Sequence, residues 1–292
     1  MAEDTPTAMV TGAASGLGFG VAQRLSRAGW RVLVHARSEQ RANDAVRRLG
    51  GGRSQAEPVV ADLARLDDVS RLAQDVAARS GRLDALVNNA GVATLNAHML
   101  RRLVTSDGYL GEWQVNFLAP FALTVLLSGL LASTARARVV NVSSVAQGWG
   151  RIHWDDRNME HGWDRMAAYA QSKIALTMFT SEFALRMAST GVTANSLHPG
   201  MCNTKMVRGT FLIAPHTVSY GADNITRLVL GADLAGTTGR YFDGPSLTTP
   251  NPLAADREAR RRLWDLAVTD ARLDPSHPSI APALRRHLAE PT

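Results

Sequence analysis

The sequence predicts an α/β protein with a doubly wound parallel sheet that carries helices on both faces. Strand-like and helix-like segments alternate along the chain, which is the pattern of parallel strands joined by helical crossovers. The first strand ends in the glycine-rich turn TGAASGLG, which opens a helix. The length of 292 residues, with 45% hydrophobic and 20% charged residues, suits one domain of ordinary globular composition. Together these observations predict a single Rossmann-type sheet.

Each predicted strand is a short apolar run bounded by glycine, proline or polar residues. The strands are expected at 8–10, 31–36, 58–61, 85–88, 138–142, 192–197 and 239–242. The predicted helices have apolar residues on one face and a capping residue or a glycine at one end, as Ser38 and Gly29 illustrate. They are expected at 16–28, 39–49, 66–78, 112–131 and 167–187.

The composition excludes several classes of protein. Cys202 is the single cysteine, so the chain has no internal disulfide and no cysteine-based metal cluster, and we expect no metal site. The first residues lack the basic and apolar regions of a signal peptide. The longest apolar stretch, 117–132, contains Pro120 and is shorter than a typical spanning helix. We therefore expect a cytoplasmic protein with no membrane partner.

The net charge of +6 comes from thirty arginines and two lysines, Lys173 and Lys205, against 26 acidic residues. The arginines are scattered rather than clustered with aromatic residues, so we expect no nucleic-acid partner. Usage that is rich in arginine and poor in lysine suggests a bacterium with a GC-rich genome.

The turn after the first strand has the composition of a phosphate site. Its glycines allow a tight turn and a close approach of the backbone, and the helix N-terminus offers free N–H groups and a positive dipole end. We predict that Gly12, Ser15, Gly16, Leu17 and Gly18 bind the pyrophosphate of a dinucleotide. The alternative is a tight turn that binds no ligand.

The spacing of this turn, TGxxxGxG, is one of several motifs by which the chain resembles the short-chain dehydrogenase/reductase family. The others are NNAG at 88–91, NVSS at 141–144, YAQSK at 169–173 and PGMCNT at 199–204. The segments GRIHWDD and GRYFDG resemble its retinol-dehydrogenase-like branch, in the soluble bacterial carbonyl reductase type. The resemblance predicts a domain at 5–273 and a loose, proline-rich tail at 274–292.

The end of the second strand predicts the choice of cofactor. In such a fold a carboxylate there binds the ribose 2′-hydroxyl of NAD, whereas an arginine accommodates the 2′-phosphate of NADP. This strand ends VHARS, with no acid at its tip and with Arg37 just beyond it. A guanidinium fork matches the geometry of a phosphate, so we predict NADP(H), with Ser15 and Ser38 adding hydrogen bonds.

The resemblance implies further residues that bind the cofactor. Asp62 would accept a hydrogen bond from the adenine amino group, although a helix cap is an alternative role for it. Tyr169 and Lys173 would lie at the nicotinamide ribose. The remaining implied positions line the cofactor groove and are Leu63, Asn89, Ala90, Gly91, Pro199, Gly200 and Thr204.

The YAQSK motif predicts the catalytic group. Tyr169 and Lys173 share one face of a helix, and a neighbouring ammonium, together with oxidised nicotinamide, would lower the pKa of Tyr169. Tyr169 would then exchange a proton with a carbonyl or alcohol oxygen. The resemblance implies that Ser144, with Ser143 as the alternative, polarises that oxygen. It also implies that Asn116 holds a water beside Lys173.

An insert at 146–166 points to the substrate, because Tyr169 follows Ser144 by 25 positions, well beyond the usual spacing in the family. We expect Trp149, His153 and Trp154 to wall a pocket for a bulky apolar carbonyl compound. The alternative is that these aromatic residues pack the insert onto the body of the domain. The resemblance places a substrate lid at 205–217, where Met206 would face the substrate.

The expected function is an NADP(H)-dependent oxidoreductase that reduces a bulky apolar ketone or aldehyde of bacterial secondary metabolism. Two alternatives stay open: a redox-neutral enzyme on the same scaffold, such as an epimerase or cyclase, and a non-catalytic NADPH-sensing protein. Because relatives in the family are often dimers or tetramers, we expect a homodimer or homotetramer. The apolar face at 117–131 fits such an interface and equally fits core burial.

Overall fold

The computed structural model describes residues 5–50, 55–93, 101–204 and 214–288, with side chains as far as residue 285. Within this part, the strands are β1 (Thr7–Val10), β2 (Arg31–Ala36), β3 (Ala56–Val60), β4 (Ala85–Asn88), β5 (Arg138–Val142), β6 (Thr193–His198), β7 (Tyr241–Asp243) and β8 (Ser246–Thr248). They form one sheet in the order β3-β2-β1-β4-β5-β6-β7-β8. All neighbouring strands are parallel except β7 and β8.

The helices connect these strands. In chain order they are α1 (Gly16–Arg27), α2 (Glu39–Arg48), α3 (Leu66–Arg79), α4 (Gly111–Trp113), α5 (Ala119–Leu126), α6 (Ser128–Ser133), α7 (Arg165–Arg186), α8 (Val218–Leu230), α9 (Arg257–Asp270) and α10 (Pro282–Leu288). A π-helical turn, Gln114–Leu118, joins α4 to α5, and a 3₁₀ turn, Val145–Trp149, follows β5.

The sheet is covered by helices on both faces, as the alternating pattern predicts. On one face α3, α5, α7 and α9 contribute to a core cluster whose buried side chains include Trp113, Phe121 and Trp264. On the other face α1, α2 and α8 pack with strand residues such as Val34 and Val87 in a second cluster. This is the doubly wound arrangement of parallel strands that are buried on both faces.

The order of the sheet reverses at β1. This strand pairs with β2 on one side and with β4 on the other, so successive strands run outward in opposite directions from it. Ligands of such sheets bind in the crevice at the carboxyl ends of the strands where the order reverses. Asn89, Ser144 and Pro199 lie at that edge, together with the glycine-rich turn, because they follow the ends of β4, β5 and β6.

The seven predicted strands are present to within two residues of their expected bounds, and β8 is an addition. The helix expected at 112–131 is interrupted. Pro120 has no N–H to donate to the carbonyl of Asn116, four residues earlier, and the π-helical turn lies at this point. A second break separates α5 from α6 at Leu127.

The expectation of a loose tail is wrong for the described residues beyond 273. Ile280, Ala281 and Leu284 are fully buried in the same core cluster as α5 and α7. The Ala281 N–H donates to Ser128 Oγ at 2.8 Å, and the Gly129 N–H donates to the Ser279 carbonyl at 2.9 Å. The many prolines of this segment shape a folded connection that ends in α10 rather than an unpacked arm.

The tail also helps to decide between the two roles predicted for the apolar face at 117–131, which are a subunit interface and core burial. Phe117, Phe121 and Leu131 are fully buried within the single chain, in the core cluster that also contains Ile280 of the tail. These side chains are therefore core rather than an open interface. Within the described residues, no helix combines the length and the hydropathy needed to cross a membrane.

Candidate active site

The turn between β1 and α1 depends on its glycines for two different reasons. Gly12 and Gly16 have φ values of 67° and 58°, in the left-handed region that favours glycine. Gly18 is required by space, since a Cβ there would lie 2.6 Å from the Gly12 carbonyl oxygen and 2.5 Å from Asn89 Nδ2. The turn therefore folds tightly against the segment that follows β4.

Thr11, which was not among the predicted site residues, organises this contact. Its hydroxyl accepts hydrogen bonds from the backbone N–H groups of Asn89 and Ala90, each at 2.9 Å, and its carbonyl accepts from Asn89 Nδ2 at 2.8 Å. The NNAG motif is thus bound directly to the glycine-rich turn. The position of Thr11, directly before the first glycine of the turn, is the sequence feature that could have indicated this role.

The predicted cofactor residues that follow β6 lie opposite the same turn. A Cβ built on Gly16 would lie 4.0 Å from Thr204 Cγ2, so the two segments face each other across the crevice. Gly200 has a φ of 99°, and a Cβ there would lie 2.9 Å from the Tyr220 ring and 3.0 Å from the His216 ring. A narrow cradle of glycines at a helix N-terminus fits the pyrophosphate of a dinucleotide.

The residues predicted to contact the adenosine half of a cofactor follow β2 and β3. Arg37 and Ser38 are exposed just beyond β2, where their side chains can reach a ligand. Asp62 Oδ1 accepts the backbone N–H of Ala64 at 3.0 Å in the turn before α3, whose N-terminal cap position is Arg65, so the helix-cap alternative for Asp62 is wrong. Leu63 packs its side chain into the core, so it can offer a cofactor only its backbone.

Tyr169 and Ser144 come together from α7 and from the end of β5. Desolvation raises the pKa of Tyr169 above its ordinary value, and a hydrogen bond with the Ser144 side chain offsets this only in part. The expected lowering by Lys173 is therefore not what the protein alone produces. Lys173 Nζ donates to the Val142 carbonyl at 3.0 Å and lies 5.5 Å from the Tyr169 ring centroid.

Burial also shifts the pKa of Lys173. Desolvation lowers the pKa of the Lys173 ammonium to about 8, because the charged form loses more by leaving water than the neutral amine does. A Cβ on Gly91 would lie 3.7 Å from Lys173 Nζ. The lysine thus lies between the tyrosine and the segment that follows β4.

The structure distinguishes the two adjacent serines by their contacts. The Ser143 hydroxyl bonds the Lys173 carbonyl and the Thr177 hydroxyl, each at 3.0 Å, inside the packing between β5 and α7. The Ser144 hydroxyl faces Tyr169 and accepts the Ala146 N–H at 3.2 Å. Ser144 is the one placed to act on an oxygen beside Tyr169.

Asn116 lies in the π-helical turn, and its side-chain amide forms hydrogen bonds with other groups of the protein. Its Oδ1 accepts the Val92 N–H at 2.7 Å, and its Nδ2 donates to the Val92 carbonyl at 2.9 Å and to Ser172 Oγ at 3.0 Å. A Cβ on Gly91 would lie 3.2 Å from Asn116 Oδ1. The amide therefore positions the chain just after the NNAG motif, and its role beside a water stays a prediction.

The predicted substrate residues of the insert separate into two groups. Trp149 is 54% exposed in the 3₁₀ turn that directly follows Ser144. Trp154 instead packs on the core, with the Arg262 guanidinium 4.4 Å from its ring centroid, as the packing alternative expected. His153 is exposed, and its N–H donates to Gln171 Oε1 at 2.8 Å. Met206 lies outside the described residues.

Residues that were not among the predicted site residues, and that are distant in the chain, hold the insert in place. Arg157 makes two hydrogen bonds of 2.8 Å to the buried Asp270 of α9. Asn251 Nδ2 donates to the carbonyls of Gln147, Gly148 and Gly150, and Asn251 N–H donates to Gln147 Oε1. Their partners are about a hundred positions away in the chain, so no local pattern indicated these contacts.

The fold and the site define a class of protein. A glycine-rich turn opens a helix at the point where a parallel sheet reverses, and a tyrosine, a serine and a lysine gather at the same edge. This arrangement is typical of an NAD(P)-dependent oxidoreductase, in which the protein binds a nicotinamide dinucleotide and transfers the proton that accompanies the hydride.

The comparisons with known proteins identify the family. A family model described as short chain dehydrogenase matches residues 6–212, and the chain belongs to that family, in its retinol-dehydrogenase-like branch. Human retinol dehydrogenase 14 is 36% identical over 289 residues, covering 89% of this chain and 84% of the relative. Mouse retinol dehydrogenase 13 is 34% identical over 278 residues, covering 88% of this chain and 81% of the relative.

Solved structures show the same fold. An uncharacterized protein from Mycobacterium Paratuberculosis has a TM-score of 0.73 and 29% identity, covering 94% of this chain and 98% of that one. A single-substitution variant of actinorhodin polyketide ketoreductase, solved with NADPH, has a TM-score of 0.62 and 25% identity, covering 82% of this chain and 96% of that one.

Proposed function

We propose that this protein is an NADP(H)-dependent carbonyl reductase that acts on a bulky, apolar ketone or aldehyde. The observation that carries the proposal is the juxtaposition of the Tyr169 and Ser144 side chains, with Lys173 one helical turn away, at the edge of the sheet that holds the glycine-rich turn. An oxygen placed between the two hydroxyls would receive both as hydrogen-bond donors.

Reduction is the proposed direction, and the protonation of Tyr169 is compatible with it. Because desolvation raises the pKa of Tyr169, the phenol carries its proton at neutral pH. Reduction of a carbonyl needs a proton for the oxygen as well as a hydride for the carbon, and a bound NADPH supplies the hydride. Tyr169 donates the proton, and Ser144 stabilises the negative charge that develops on the oxygen. Lys173 holds the nicotinamide ribose and supports Tyr169, and Asn116 supports the proton relay.

The preference for NADP(H) over NAD(H) rests on the end of β2. Arg37 and Ser38 are exposed there, and no carboxylate lies at the tip of the strand to bind an unsubstituted ribose. A structural neighbour, the actinorhodin polyketide ketoreductase, was solved with NADPH.

The substrate class rests on the surface beside Ser144. Val145 and Trp149 are 47% and 54% exposed, so two large apolar side chains border the proposed reaction site. Exposed apolar surface at a site favours a ligand with apolar bulk. The relatives are named for retinol, a bulky apolar alcohol, and a structural neighbour is named for a polyketide. We propose that the reaction belongs to bacterial secondary metabolism. The cytoplasmic location and the assembly into a homo-oligomer stay predictions.

The test is the loss of NADPH absorbance with a panel of carbonyl compounds, from small aliphatic ketones to polycyclic aromatic ketones and retinal. Wild type and Tyr169→Phe are compared, and NADPH binding to both is measured by calorimetry. We expect turnover with the larger compounds that Tyr169→Phe abolishes although the variant still binds NADPH. Tight NADPH binding without oxidation in the presence of any compound contradicts the proposal and favours a redox-neutral enzyme or an NADPH sensor.

A further inference from the structure

His35 is a buried histidine in β2 that the reaction described above does not use. It is 1% exposed, and both ring nitrogens have partners. Nδ1 lies 3.1 Å from the Gly12 N, and Nε2 lies 3.1 Å from the Ala61 carbonyl oxygen. A backbone N–H can only donate and a carbonyl can only accept. Nδ1 must therefore be unprotonated and Nε2 must carry the proton.

The two bonds join three parts of the cofactor crevice. Gly12 begins the glycine-rich turn, β2 leads to Arg37, and Ala61 immediately precedes Asp62. The backbone of His35 adds a third bond, since its carbonyl accepts the Ala13 N–H at 2.9 Å. One residue thus holds two successive amides of the turn, at the point where Gly12 takes a φ of 67°.

A neutral ring is required for this arrangement. Burial lowers the pKa of His35 to about 4, against the opposing influences of the Ala61 carbonyl and the Asp62 carboxylate, so the ring is neutral at neutral pH. The neighbouring β2 positions, Leu33 and Val34, are apolar, as is usual for a central strand. A buried polar ring in such a strand has a reason in the partners that it binds.

We propose that His35 is a positioning residue for the dinucleotide site, in which Nδ1 fixes the conformation of Gly12 and thereby orders the turn before the cofactor arrives. The inference rests on the proposed function in that NADPH is the ligand. A turn that is ordered in advance loses less entropy on binding, so loss of the Gly12 bond lowers the affinity for NADPH. The bond to Ala61 supports the ring but does not touch the turn.

Two substitutions separate the two bonds. His35→Asn places an acceptor, Oδ1, where Nδ1 was and gives up the bond to Ala61. His35→Gln places a donor, Nε2, near Ala61 and gives up the bond to Gly12. His35→Leu removes both bonds. The Asn and Gln variants thus each lose one hydrogen bond and serve as matched controls for stability.

The readouts are the NADPH dissociation constant from calorimetry, the midpoint of thermal unfolding, and kcat and KM. We expect His35→Asn to bind NADPH within about threefold of wild type, and His35→Gln and His35→Leu to bind about tenfold more weakly. We expect the unfolding midpoints of the Asn and Gln variants to fall alike. At saturating NADPH we expect His35→Gln to retain kcat, since the hydrogen bonds of His35 go to Gly12, Ala13 and Ala61 rather than to Tyr169, Ser144 or Lys173.

Equal losses of affinity in the Asn and Gln variants, or no loss in either, would overturn the inference and leave His35 as packing alone. Hydrogen exchange of the wild-type protein without cofactor gives a second measurement that needs no variant: the Gly12 amide should be protected, and rapid exchange contradicts the bond. A wild type that binds NADPH but reduces no carbonyl would refute the proposed function while the affinity comparison still decides the role of His35. If the wild-type protein binds no NADPH, both the proposed function and the proposed role of His35 are refuted.

Discussion

Ile280 provides a direct test of the docked C-terminal segment. It is fully buried in the core cluster that includes Phe121 of α5 and Phe183 of α7, although it lies beyond the last residue that the family resemblance covers. If the segment packs as described, truncation of this side chain leaves a cavity inside the main core. If the segment is a loose arm, truncation changes nothing.

The magnitude follows from complete burial. Ile280→Ala removes methylene and methyl groups from a fully buried site, and we expect it to lower the free energy of unfolding by about 2–5 kcal/mol. Ile280→Val removes less, and we expect about 0.5–1.5 kcal/mol. Ser128→Ala leaves the buried Ala281 N–H without its acceptor, for which we expect about 1–3 kcal/mol. Leu247, 62% exposed on β8, is the control, since Leu247→Ala should stay within about 0.5 kcal/mol of wild type.

The assay is equilibrium unfolding in urea, followed by tryptophan fluorescence, because Trp264 belongs to the same core cluster. The slope of the transition is compared between variants to verify that the same surface is exposed on unfolding. The order of stability should be wild type and Leu247→Ala together, then Ile280→Val, then Ile280→Ala. An Ile280→Ala variant as stable as Leu247→Ala would refute the packing of this segment.

Three further predictions concern the site. Arg37→Ala should weaken NADPH binding by about tenfold or more, because a charge-assisted hydrogen bond to the 2′-phosphate is lost, and should leave NADH binding unchanged; calorimetry with both cofactors checks this, and parallel losses would contradict it. The rate of carbonyl reduction should fall as the pH rises through about 8, where the Lys173 ammonium loses its proton while Tyr169, with its raised pKa, keeps its own. A pH–rate profile that is flat to about pH 10, near the ordinary pKa of a lysine, would exclude a requirement for the ammonium. Trp149→Ala should raise KM for bulky carbonyl compounds with little effect on stability, whereas Trp154→Ala should lower stability with little effect on KM. Steady-state kinetics and thermal unfolding of the two variants distinguish these outcomes, and reversed effects would refute the assignment.

Local patterns predicted most of the sheet and the chemical groups of the site. A strand is recognised by its own apolar run and a glycine turn by its own spacing, so the seven predicted strands and the turn at 11–18 are where they were expected. The helical spacing of Tyr169 and Lys173 likewise places both on one face of α7 without reference to the rest of the chain. The interrupted helix was missed, although Pro120 in its sequence was a visible reason for a break.

Electrostatics was predicted less well, because a pKa depends on the surroundings of a group as much as on its neighbours in sequence. The proximity of a lysine suggested a lowered pKa for Tyr169. In the protein without its cofactor, desolvation raises it instead, and the same effect lowers the pKa of Lys173. The spacing of residues in the sequence does not indicate how much water remains around them in the folded protein.

The sequence by itself determined the alternation of strands and helices, the glycine-rich turn and the candidate residues for the site, because each is encoded within a few consecutive residues. The tertiary structure alone decided which serine faces Tyr169, that Trp154 packs on α9, that His35 bonds Gly12, and that the tail is part of the core. Ala281 bonds a serine 153 positions earlier, and Asn251 holds a turn 104 positions earlier. Contacts over such separations arise only when the whole sheet and its covering helices have brought the segments together and excluded water between them.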